Sequence, residues 1–278
     1  MCNCISHFLK RLLASLICIA SLASYFLALP PIRPQAKNYG QYKDVAKIYD
    51  QGSCPSMQGM SVCGSYIYAC KINGNTDKEA VVARVNNDAS SSSYGSVSFL
   101  INNATGTKFF SDFGHGNDIE VENINNVITL FVPTSTSGSG SLVRYKIVGT
   151  TATKVGSYTM TSGGSNLSGG AIRVTHFDDT TISFLFKSGK ICYTGTLPIT
   201  QTSGTLEMTK LCTLDYTTAY VNDTAKDTSK YSLQGMGYMI TSFTSPCLVI
   251  LSAAMKTSAL FWCMTLKVLP VQLNQTRT

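Results

Sequence analysis

The segment Asp112-Phe113-Gly114-His115-Gly116-Asn117-Asp118 gathers an imidazole, an amide and two carboxylates around two glycines. Glycine reaches backbone angles closed to other residues and lets a ligand come close to the main chain. The oxygens of Asp112, Asn117 and Asp118 would suit a calcium ion. The imidazole of His115 would suit general acid–base work with Asp118. The plainer reading of the same residues is a tight turn whose side chains bond the local backbone. Gln58 and Gln234 each open a Gln-Gly-Met tripeptide and join His115, Asn117 and Asp118 as candidate ligand-binding residues.

Other chemistries find less support. His176 sits beside a turn and reads as exposed. Asp178 and Asp179 are adjacent, and adjacent strand residues point to opposite faces, so a hairpin turn is expected there. No serine with a G-x-S-x-G surround occupies a strand-to-helix turn. The glycine loops at 138–140 and 162–165 precede no phosphate-cradling helix. Ten cysteines are present, five of them in the body: Cys54, Cys63, Cys70, Cys192 and Cys212. Their spacing is too wide for structural zinc. Cys54 with Cys63 or Cys70, and Cys192 with Cys212, are open pairings, and an odd number leaves at least one thiol over.

Short strands must position these residues. Charged residues make up 13% of the chain, while small polar residues are abundant, a mix that favours strands joined by polar turns. Strands are expected at 66–72, 80–85, 129–134, 141–147, 152–160, 171–174, 181–186, 191–196 and 208–214. Turn signals separate them, including NGNTDKE at 73–79 and STSGSG at 135–140. That rhythm predicts an all-β sandwich, barrel or propeller. A loose repeat favours the propeller. Units open at 57–62, 115–121, 167–174 and 234–236 on a small or polar segment that runs into a strand, and the first three turn back into an apolar strand.

The two ends differ from the body. Residues 1–43 carry five basic residues and no acid, and residues 239–278 carry three and no acid. The span between has a net charge of −1, so the formal +7 of the chain gives the folded body no basic face for nucleic acid. Lys10 and Arg11 precede an apolar run at 12–29, the pattern of an export signal, with a cut after Ala36 expected. An uncleaved anchor helix over 12–29 is the alternative and would be the chain's contact with a membrane. The expected organisation is a signal or anchor at 1–36, a β domain at 37–238 and an aberrant tail at 239–278. That tail lacks glycine and holds the single Trp. A shifted reading frame near residues 237–239 would restore acids there, since codons for Met239-Ile240 read from their third base give aspartate.

The segments AKNYG (36–40), YDQGSCPSMQGM (49–60), FSDFGHGNDIEV (110–121), SGSLVRYKI (139–147) and LSGGAIRV (167–174) resemble poorly characterised secreted proteins of Gram-positive bacteria. More distantly, the chain is similar to helveticin-type propellers. The resemblance implies a propeller fold and an exported location. The expected function is a secreted or surface binding module for a glycan, peptide or surface polymer. A hydrolase or lyase at a propeller axis using His115 and Asp118, or a bacteriocin-like protein, are the alternatives.

Overall fold

The computed structural model describes residues 44–74, 76, 79–136 and 139–214, and the strand segments 218–221, 224–227, 236–240, 246–252 and 262–266. Gln234 and the expected signal at 1–36 lie outside the described residues. The described chain is all-β, with no helix among those residues, and none there is long and apolar enough to cross a membrane.

The first sheet runs β1 (Ser56–Cys63), β2 (Tyr66–Ile72), β3 (Ala80–Asn86) and β4 (Val97–Phe99), in that spatial order and antiparallel throughout. Next in the chain come β5 (Ile101–Asn102), β6 (Glu120–Ile124), β7 (Val127–Thr136), β8 (Ser139–Val148), β9 (Thr151–Ser162) and β10 (Ser165–Asn166). The second sheet is the antiparallel series β6 to β10, with β5 added parallel to β9. The β6–β7 hairpin turns on Asn125-Asn126, both at positive φ, as a two-residue hairpin whose twist matches its strands requires. The expected loop at 135–140 is shorter than its composition indicates: β7 extends to Thr136 and β8 starts at Ser139.

The third sheet pairs β11 (Ala171–Phe177), β12 (Thr181–Ser188) and β13 (Ile191–Pro198) as a meander. The chain then sends β14 (Ser203–Glu207) back to lie parallel with β9, and β15 (Thr209–Thr213) closes the third sheet beside β13. Beyond these lie β16 (Thr218–Val221) paired with β17 (Thr224–Asp227), and a sheet of β18 (Gly237–Ile240), β19 (Pro246–Ser252) and β20 (Trp262–Leu266). β18 follows directly on Met236.

The sheets share cores in series. In β7, Leu130 and Val132 enter one core with Tyr68, Cys70, Ile72 and Val82 of the first sheet. Phe131, between them in sequence, enters another with Phe184 and Phe186 of the third. Period-two alternation thus sends one strand into two cores, because both faces of the second sheet are covered. Leu185 in turn points to a third core with Ala171, Leu214 and Met236. By contrast, Met57, Met60 and Val62 of β1 are exposed.

Candidate functional site

Segments 57–62, 115–121 and 167–174 meet along one seam. β1 packs against β6, and β6 against β11, so edge strands of three sheets are neighbours. The seam is close because Gly59 permits it. A Cβ on Gly59 would sit 2.5 Å from the Asp118 backbone and closer still to the Ile119 nitrogen. Gly59 lies at a bulge in β1, between Met57 and Met60, where the pairing with β2 shifts. A bulge bends a strand locally and re-aims its residues.

Across this seam runs a repeated hydrogen bond. The Val121 N–H donates to Ser61 Oγ at 2.9 Å, and one sheet further on the Val174 N–H donates to Glu120 Oε1 at 3.1 Å. Ser61 and Glu120 each precede a valine in matching segments, GMSV and DIEV. A side-chain oxygen of one first strand therefore satisfies a backbone donor of the next, as buried donors require. Ser61 Oγ also donates to Glu120 Oε2 at 3.3 Å.

Asp118 completes the cluster. It is 1% exposed and accepts from the Ile172 N–H at 3.2 Å and from its neighbour Ile119 at 3.0 Å. Arg173 grips it with two nitrogens, Nη1 to Oδ2 at 2.6 Å and Nη2 to Oδ1 at 3.2 Å. The fork also reaches Glu120 Oε2 at 3.6 Å. Such a bidentate pair is among the strong hydrogen-bonded contacts a protein makes. Burial nevertheless dominates the protonation of both acids. It pushes Asp118 up to about 6 and Glu120 up to about 7, although Arg173 pulls each of them down.

The rest of the glycine segment is anchored separately. Phe110 and Phe113 stack with centroids 4.7 Å apart, and both meet the Tyr145 ring edge-on. Gly114 and Gly116 adopt positive φ, and the Gly116 N–H closes a turn onto the Phe113 carbonyl at 3.0 Å. Asp112 accepts the Tyr145 hydroxyl at 2.8 Å and pairs with Lys154 at 2.8 Å. A calcium ion on Asp112, Asn117 and Asp118 would have to displace Lys154 from one carboxylate and Arg173 from the other. Among the described residues, no group of three or more His, Cys, Asp or Glu could hold a metal ion.

His115 and Asn117 are half-buried, as is Gln58, whose Oε1 is shielded from solvent and has no donor among the described residues. Gln58 directly precedes Gly59 and Asn117 directly precedes Asp118, so the close crossing brings these two candidate stretches together. The expected turn at Asp178 is present: its carboxylate accepts from the Thr180 and Thr181 backbone and both hydroxyls. Those donors hold Asp178 down at about 2. Sequence reasoning missed Ser61, Glu120 and Arg173. The usable signal was their shared place in GMSV, DIEV and AIRV, one residue before the valine. No family model and no curated protein matches this chain.

Proposed function

We propose that this protein is an exported binding module whose sheets are the blades of a propeller-like assembly. The observation that carries the reading is the seam: first strands of successive repeats lie side by side and share stitched backbone donors. Propellers set such strands around an axis, where ligands bind. β18, at the fourth repeated opening, lies beside β11 and extends the same order.

Binding is favoured over catalysis by the state of the acids. Asp118 and Glu120 are closed off from solvent and engaged by Arg173, Ser61 and backbone donors. They serve the seam, and a substrate could not reach them without opening it. His115, Asn117 and Gln58 keep partial access at its margin. Their amide and imidazole groups suit the hydroxyls and amides of a glycan, peptide or surface polymer.

Glycan, peptide and cell-wall polymer arrays, probed with the wild type and a His115→Ala/Asn117→Ala double variant, test this. The expected result is a ligand class bound by the wild type and weakened about tenfold or more in the variant, the loss of roughly 1.4 kcal/mol of contact. Turnover of a glycoside or peptide that fails in the variant would replace binding with hydrolase or lyase chemistry. Growth inhibition of related bacteria without array binding would favour the bacteriocin-like reading.

A further inference from the structure

The buried cysteines hold a feature that the seam does not use. Cys192 of β13 and Cys212 of β15 are register partners, facing each other across adjacent antiparallel strands. Lys187 of β12 is in turn the register partner of Cys192. One row across the third sheet therefore runs Lys187, Cys192, Cys212. Facing residues on antiparallel strands have Cα atoms roughly 4.5–5.5 Å apart. That spacing lies within the roughly 4.4–6.8 Å span of disulfides. Both cysteines are thiols in this structure, Cys192 fully buried and Cys212 half-buried.

We propose that Cys192 and Cys212 form a cross-strand disulfide that ties the edge strand β15 to β13. Cys54, Cys63 and Cys70 stay outside this bond. In the cell the step rests on the export reading above, since a disulfide persists in an oxidising compartment. The half-buried Cys212 is the reachable thiol. Its thiolate attacks one sulfur of a low-molecular-weight disulfide and expels a thiolate, leaving a mixed disulfide on Cys212. The Cys192 thiolate then attacks Cys212 Sγ and expels the second small thiol. The protein gives up two protons and two electrons, and the small disulfide is reduced to two thiols. Burial pushes the Cys192 thiol up to about 12, while the Lys187 ammonium beside it works the other way.

The test uses the purified full chain incubated with oxidised glutathione, then alkylated and digested without reduction. Trypsin cuts after Lys190, Lys210 and Lys226, placing Cys192 in peptide 191–210 and Cys212 in peptide 211–226. The expected product is these two peptides joined. Hydrogen exchange at β15 amides slows at least severalfold relative to the reduced protein, and the change is absent in Cys192→Ser/Cys212→Ser. Joining of either peptide to one bearing Cys54, Cys63 or Cys70, or alkylation of both cysteines after long oxidation, would overturn the proposal. If the double variant fails to fold, the wild-type peptide map still decides. Oxidation in vitro, with the chain recovered only from the producing cell's cytosol and its thiols reduced there, would leave the bond standing and sink the export reading.

Discussion

Two carboxylates from one short segment have opposite settings. Asp112 has a side chain 28% exposed and pairs with Lys154, itself 43% exposed, on the flank of the second sheet. Asp118, six residues on, is fully buried and is gripped by Arg173 from the third sheet. The residue type is the same and each has a cationic partner. What differs is the water each has lost. An exposed pair is screened, and either partner can return to solvent. A buried one leaves a bare charge in the interior if its partner goes, which makes the partner indispensable without making the pair a large net source of stability.

Removing Arg173 tests that contrast most severely. Arg173→Met keeps much of the side-chain volume and leaves Asp118 buried without its cation. A loss of about 3–5 kcal/mol in unfolding free energy is expected, read from urea titration. A loss below about 1 kcal/mol would place Asp118 in the same class as Asp112.

Gly59→Ala attacks the seam through space rather than charge. The added methyl meets the Asp118 backbone, which has no flexible end to swing aside. Destabilisation of about 1–3 kcal/mol is expected, and the β1 and β6 amides should lose protection together. Loss of protection in β1 alone would mean that the two strands are not coupled through this crossing.

The pH dependence sharpens the comparison on one side. Asp118 at about 6 and Glu120 at about 7 lie above their unfolded values of 3.8 and 4.5. The folded state therefore holds more protons than the unfolded state between those limits. Their contribution to stability is present in full below about pH 4 and is lost as pH rises through 6 and 7. Glu120→Gln should flatten the upper part of that fall, measured as unfolding midpoint against pH. A fall of unchanged steepness in the variant would assign the titration to another group.

The smallest effect is expected at the exposed pair. Lys154→Ala should change stability by about 0–1 kcal/mol, with the part that is lost shrinking further in high salt. The Tyr145 hydroxyl still serves Asp112 in that variant. A salt-insensitive loss of several kcal/mol would erase the distinction between the two carboxylates.

Much of the strand order was legible in the sequence, because alternation and turn residues act locally. The segment 66–72 reads as a strand from its β-branched and aromatic residues, and β2 spans those residues. The turn at Asp178 follows from an acid beside two threonines whose hydroxyls and amides lie within reach. β14 was not legible: Ser203–Glu207 is short and polar, and its pairing partner β9 lies some forty residues back. The extension of β7 and β8 into a Ser/Gly stretch was hidden in the same way, since cross-strand pairing overrides a composition that favours loops.

The glycine segment was legible as a turn, and its two positive-φ glycines follow from residue type alone. Its division of labour was not. Asp112 and Asp118 look equivalent in sequence, and so do His115 and Asn117 as their companions. The partners that separate them, Lys154 and Arg173, arrive from strands about forty to fifty-five residues away. The seam partners Ser61 and Glu120 are likewise far apart in the chain. Local sequence determined which backbone could turn and which could extend. Only the packing of one sheet on the next decided which carboxylate lost its water, because desolvation depends on everything around a group and not on its neighbours in the chain.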